Sequence, residues 1–193
     1  SKLNTIIFKS EKDLHIATTR PELLGACVAV FVNPKDKRYK SLIGKNAEIP
    51  LYNYKVPILA DESADMEKGT GALMVCSYGD KYDVDAINRF KLKPRIIFDA
   101  KGKLIDEKFK GLTMPEARRQ ILKELKEKNL LVEQKDIQHI VNVHDKCGTE
   151  IEFLPIEQWF IKILDRKKQL IEQGKKIKWY PSFMYKRYEN WIH

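Results

Sequence analysis

Three short stretches of this chain carry side chains able to do chemistry together. Ile16-Ala17-Thr18-Thr19-Arg20-Pro21-Glu22 ends a β-type run in two hydroxyls, followed by a permanently charged guanidinium on a proline turn and a carboxylate. Gly69-Thr70-Gly71 opens a second apolar run that ends in Cys76-Ser77, and an acidic loop with Asp80 and Asp83 follows. This order puts hydroxyls and a fixed cation at a strand mouth, with carboxylates opposite them. Other chemistries find no partners. Cys76 with His15 or His144 is a nominal thiol–imidazole pair, but no spacing brings them together. Asp80 and Asp83 lack a third matched ligand for a metal. His144-x-x-Cys147 is half a zinc pattern without its second half, and reads as a turn.

The elements that must position these residues are mostly short strands. Thr5–Phe8, Leu14–Thr18, Cys27–Val32, Val56–Leu59 and Ala72–Cys76 are rich in branched residues and bounded by turn signals such as Asn33-Pro34 and Lys68-Gly69. Ile96–Leu104 reads as a hairpin around Gly102, and Ile137–Val143 as a further strand. Strands at this spacing suggest a barrel or a curved mixed sheet. A helix over Val84–Phe90 leaves Asp83 in the loop before it, and Asp85 as a solvated charge in its first turn. Thr113-Met114-Pro115-Glu116 has capping-box spacing and starts a helix whose apolar stripe is Ala117, Ile121, Leu122 and Leu125. After His144 the character changes. Glu157–Gln173 predicts a helix with Trp159, Phe160, Ile163 and Leu164 inward, closed by Gly174, and an aromatic, basic tail follows from Ile177.

Bulk composition bounds the function classes. The 193 residues hold 36 Lys and Arg against 27 Asp and Glu, a formal charge of +9 that fits a polyanionic partner. A lysine-rich soluble protein without such a partner fits the same number. The longest apolar run, Ala26–Val32, is seven residues, far short of the roughly 20 a membrane span needs. Three scattered cysteines, Cys27, Cys76 and Cys147, argue for a reducing compartment and a cytoplasmic location rather than a disulfide framework. A start at Ser1 and an abrupt stop at Trp191-Ile192-His193 read as a piece of a longer protein. No P-loop or dinucleotide fingerprint occurs, and no His-x-Gly-His or Lys-Met-Ser-Lys-Ser run.

The Thr18-Thr19-Arg20-Pro21-Glu22-Leu23 run, Ala26 to Val32, Gly69 to Ala86 and Cys147-Gly148-Thr149 to Phe160 together resemble the editing domain inserted into class I aminoacyl-tRNA synthetases for valine, isoleucine and leucine. The likeness covers nearly the whole chain and is greatest to the valyl branch in its archaeal-type form. It implies a mixed, β-rich α/β fold with a closed six-stranded-type barrel and flanking helices. It places the editing domain at residues 1–143, and at 144–193 a segment returning to the synthetase body. It implies hydrolysis of the ester of threonyl-tRNA(Val), with the acceptor end of tRNA(Val) and the rest of the synthetase chain as partners. No cofactor is implied for editing, since ATP and Mg serve only the synthetase body.

The resemblance also assigns roles. Asp83 becomes the grip on the substrate's α-ammonium, and Asp80 a contact to the threonine hydroxyl. Thr18 and Thr19 meet the terminal adenosine and the ester. From its permanent charge, and not from the resemblance, Arg20 can clamp a phosphate or orient an acid, with bracing of the acidic loop as the structural alternative, and Glu22 fits an adenosine or backbone contact. Bacterial valyl members carry lysine, threonine and threonine where Met74, Cys76 and Leu23 stand, so those roles fall here to Ser77 or Cys76 as the polar contact. Two alternatives stay open: an isoleucyl-type domain that clears valine, and a non-catalytic tRNA-binding insertion.

Overall fold

Alternating burial over Lys2–Phe8 turns Asn4, Ile6 and Phe8 inward and makes this run the middle strand of a small sheet. The computed structural model describes residues 1–193. In chain order its strands are β1 (Lys2–Phe8), β2 (Leu14–Thr18), β3 (Cys27–Val32), β4 (Asn46–Glu48), β5 (Lys55–Ala60), β6 (Ala72–Cys76) and β7 (Leu131–Asp136). Its α-helices are α1 (Lys81–Phe90), α2 (Met114–Glu127), α3 (Lys167–Lys176) and α4 (Met184–Ile192). Strands β2, β1 and β7 form one antiparallel sheet in that order, and β4, β5, β3 and β6 form a second, in which only β3 and β5 run parallel.

The expected closed barrel is therefore corrected to two open sheets. Closure needs an unbroken ring of inter-strand hydrogen bonds. One bridge, from the Glu48 N–H to the Lys9 carbonyl at 2.7 Å, links the two sheets. On the other side β2 runs beside β6 without a ladder. Each has five residues, and Arg20-Pro21 ends one edge while Gly69-Thr70-Gly71 delays the other. Gly69, at φ +61°, allows that approach, because a Cβ there would stand 3.0 Å from the Ala17 Cβ.

The near-continuous apolar run of β3 follows from burial on both faces. Val30 and Val32 join Ile6, Phe8, Ile16 and the α2 residues Ile121 and Leu125 in the main core, while Ala29 and Phe31 pack with Val75 and the α1 residue Ala86. At the start of α2 the Glu116 carboxylate accepts the Thr113 N–H at 2.9 Å and the Thr113 hydroxyl at 2.7 Å, the expected box. Strand β7 lies at Leu131–Asp136, not at Ile137–Val143; its exposed, polar Glu133-Gln134-Lys135-Asp136 hid an edge strand from a search for apolar alternation. No helix is long and apolar enough to cross a membrane.

The chain divides into two compact units between Pro155 and Ile156, downstream of the composition change at His144. In the second unit the expected helix over Glu157–Gln173 is corrected: α3 covers only Lys167–Lys176, and Trp159 and Phe160 are 102% and 85% exposed. An apolar stripe stabilises a helix only where something buries it, and nothing within this unit covers that one. Gly174 lies inside α3 rather than closing it. Its carbonyl accepts the Trp179 indole N–H at 2.7 Å, and the ring of Tyr188 on α4 occupies the space a Cβ would need.

Candidate functional site

The mouth between β2 and β6 collects most of the residues singled out above. β2 ends at Thr18, whose Oγ1 accepts the Arg20 N–H at 3.0 Å and so turns the chain into the 3-10 helix Pro21–Ala26. Thr19 is half-buried in the same turn. β6 ends at Cys76, and Tyr78, at φ +60°, reverses the chain toward α1. Asp80 is exposed and caps α1, its Oδ1 accepting the Asp83 N–H at 2.8 Å. Asp83 thus sits in the first turn of α1, not in a loop before it. The helix begins at Lys81 because Asp80 is so good a cap.

Asp83 is the electrostatically unusual group. Its Oδ1 accepts the Cys76 N–H at 3.1 Å. Its Oδ2 fills the space that a Cβ on Gly79 would occupy, which is why a residue without a side chain stands there. Burial raises its pKa to about 7, the negative charge of Asp80 adds to the rise, and the backbone N–H groups of Cys76 and Asp80 and the charge of Arg20 only partly offset it. At neutral pH this carboxyl is poised between its two forms, and a cation placed against it would favour the ionised one.

Glu22 is buried completely and faces inward. Its Oε1 takes the Arg20 Nε at 3.1 Å and the Arg118 Nη2 at 2.7 Å, and its Oε2 takes the Arg118 Nε at 2.9 Å. Arg20 also donates from Nη1 to the Gly79 carbonyl at 3.3 Å and from Nη2 to both Glu152 oxygens at 2.7 Å. Burial works against the charge on Arg20, and Glu152 and Glu22 more than reverse it. The network joins the 3-10 turn, the acidic turn, α2 and the stretch before Pro155. Arg118 and Glu152 were not singled out in the sequence, and Gly79 was read only as a turn residue opening the acidic loop. The Gly79–Asp80 neighbourhood was a signal for the glycine, but nothing local marks an arginine on α2 or a glutamate more than a hundred residues on as partners of Glu22 and Arg20.

Cys76 and Ser77 turn their polar atoms into the framework. The Cys76 thiol faces the Leu23 carbonyl at 3.5 Å, and the Ser77 hydroxyl accepts the Arg95 N–H at 2.6 Å. Burial pushes the thiols of Cys27 and Cys76 up, which disfavours the thiolate a nucleophile needs. His144 lies in its turn with its Nδ1 3.3 Å from the Cys147 sulfur, and His15 is exposed on β2. The arrangement offers one under-paired carboxyl at a polar mouth over an ion-paired floor. It can hold and orient a cationic group, and it contains no assembled nucleophile–base pair.

Comparison with known proteins gives this geometry a context. The family profile of the class I tRNA synthetases (I, L, M and V) matches residues 9–193. A valine–tRNA ligase of Thermoplasma volcanium is 47% identical over the whole chain, and those of Thermoplasma acidophilum and Methanocaldococcus jannaschii are 49% and 48% identical over 95% and 100% of it. The chain spans about a quarter of the length of these relatives, from 22% to 25%. A crystal structure of the Agrobacterium radiobacter LeuRS in a ternary complex with tRNA and LeuAMS shares the fold over 70% of this chain and 20% of its own, with a TM-score of 0.55 at 20% identity.

Proposed function

The chain belongs to the class I tRNA synthetases of the I, L, M and V group, and from that premise we propose that it is the part of a valine–tRNA ligase that hydrolyses the ester of mischarged threonyl-tRNA(Val). Residues 1–143 are the editing domain in this reading, and 144–193 lead back to the synthetase body. The observation that carries the reading is Asp83: a carboxyl raised to about 7, with Oδ1 held by the Cys76 N–H, at a mouth lined by Thr18 and Thr19.

An aminoacyl ester is already activated, so hydrolysis needs positioning more than a strong nucleophile. Asp83 holds the α-ammonium of the amino acid. A water adds to the ester carbonyl carbon, the bond from that carbon to the ribose oxygen breaks, and the ribose hydroxyl leaves with a proton while the free amino acid departs. Thr18 and Thr19 line the side on which the terminal adenosine and ester arrive. Asp80 is the polar contact for the threonine hydroxyl, and the excess of basic residues serves the tRNA phosphates. Valine and threonine differ by a methyl against a hydroxyl. An apolar pocket rejects such an isostere poorly, valine enzymes being the standing example, so a polar second site must remove the error.

The test is deacylation of threonyl-tRNA(Val) against valyl-tRNA(Val) by this chain. Rapid cleavage of the first with the second left largely intact is expected. Equal cleavage refutes the assigned specificity, and tRNA binding without cleavage of either favours a non-catalytic insertion.

A further inference from the structure

The hydrogen bonds of Arg20 reach three separate pieces of chain, and one of them is the turn that presents Asp83. Its Nη1 donates to the Gly79 carbonyl at 3.3 Å, its Nε to Glu22 at 3.1 Å and its Nη2 to Glu152 at 2.7 Å. Gly79 in turn carries the backbone against which the Asp83 Oδ2 rests, with no room for even one added carbon. The guanidinium is therefore tied to the peptide that walls one Asp83 oxygen, while the Cys76 N–H holds the other.

Three features separate this from a plain surface ion pair. Arg20 is largely shielded, with its side chain 24% exposed, and Glu22 beneath it is at 0%. All three of its guanidinium nitrogens donate hydrogen bonds, so its head cannot swing without breaking contacts to several elements. Its anionic partners are also unequal. Glu22 is shared with Arg118, which neutralises it from the α2 side, whereas Glu152 is met by Arg20 at both oxygens. The charge that Arg20 presents toward the acidic turn is thus set by how strongly Glu152 holds it.

We propose that Arg20 is a positioning residue for Asp83: through the Gly79 carbonyl it fixes the turn that presents the carboxyl, and it supplies the positive charge facing it, with Glu152 attenuating that charge. This rests on the reading that Asp83 grips the substrate's ammonium. The groups facing Asp83 are Asp80 at the helix cap, Arg20 after β2, and Cys76 and Cys27 on β6 and β3; Glu22, Glu152 and Arg118 act on it through Arg20. Arg20 makes no direct contact with the carboxyl, but it is the cation whose charge acts on it through space, and its field favours the ionised form.

The test uses the 193-residue chain with Arg20→Gln, Arg20→Lys and Glu152→Gln. Deacylation of threonyl-tRNA(Val) is followed against pH, and the Asp83 carboxyl carbon is titrated by NMR without substrate. Arg20→Gln should move both midpoints up by about half a unit or more, and Glu152→Gln should move both down. Arg20→Lys keeps the charge but not the fork, so its midpoints should stay while kcat falls and KM changes little. A simple brace would lower the melting temperature of all three and leave the midpoints together, and that result overturns the proposal. If Arg20→Gln fails to fold, the downward shift in Glu152→Gln and the fixed midpoint of Arg20→Lys still decide it. Parent protein that cleaves no ester while the NMR midpoints split as stated overturns the hydrolytic reading and supports the placing of Arg20. Cleavage with unmoved midpoints does the reverse.

Discussion

Glu22 and Asp83 belong to the same strand mouth and are treated in opposite ways. Glu22 has no exposed surface, yet both its oxygens meet guanidinium nitrogens, three contacts at 2.7–3.1 Å from two arginines. Asp83 is less buried, receives one backbone N–H on one oxygen, and has a second carboxylate, Asp80, beside it. A charge taken out of water is tolerated when it is matched, and it perturbs its own ionisation when it is not. The matched acid belongs to the framework. The unmatched one is left with capacity to bind a cation, and that capacity, rather than burial alone, makes it the group on which the proposed reading rests.

The largest expected effect comes from unmatching Glu22. Glu22→Ala leaves Arg20 and Arg118 facing each other without their shared carboxylate, and should lower stability by about 3–5 kcal/mol in a denaturant titration. A loss of about 1 kcal/mol or less, as for a surface pair, would erase the contrast between the two acids. Asp83→Ala should act on function instead. Deacylation of threonyl-tRNA(Val) should fall by about 100-fold or more while the unfolding midpoint stays near that of the parent. Parent-like deacylation with an unchanged melting curve would put the ammonium grip elsewhere.

Asp83→Asn sharpens the comparison through pH. The folded-state pKa of about 7 lies above the ordinary 3.8, so folding favours the protonated acid. Stability drawn from that protonation is whole below about 3.8 and is lost as pH rises through about 7. Asn cannot ionise, so relative to the parent it should gain stability from pH 4 to 7 and hold a constant advantage of about 2 kcal/mol above that, allowing for solvent screening. The same variant should lose most deacylation, so one substitution gains stability and loses function. Melts at pH 4, 6 and 8 would show it; equal differences at all three would mean the carboxyl is not strained by its site.

The smallest effect belongs to Asp80. Asp80→Ala removes the cap of α1 and should cost about 1 kcal/mol in thermal unfolding. Losing the like charge should also slide the pH–deacylation curve to lower pH, and the preference for threonine should weaken more than the hydrolytic step. A curve that moves upward would show that Asp80 does not oppose ionisation of Asp83.

Local signals read well along this chain and long-range ones did not. The Thr113–Glu116 box and the Ala117, Ile121 and Leu125 stripe were legible because they depend on residues within one or two turns. Strands β2, β3 and β6 were legible because both their apolar content and their flanking turns are local. Trp159 and Phe160 misled for the converse reason: helical spacing describes which face would be buried, while burial itself depends on a partner. The polar β7 misled because pairing with β1 along its backbone needs no apolar side chain.

By itself the sequence determined the residue types at the mouth, their order along the chain, and a resemblance strong enough to point to one family of synthetases. Tertiary structure decided which acid was matched and which was not. Arg118 lies 96 residues from Glu22, and Glu152 lies 132 from Arg20; no periodicity or motif encodes such pairs. Tertiary structure also decided that two sheets stay open, since closure depends on whether the facing edges of β2 and β6 meet in register. Charge pairing and edge registry are properties of distances in space, and a sequence fixes those distances only through the whole fold.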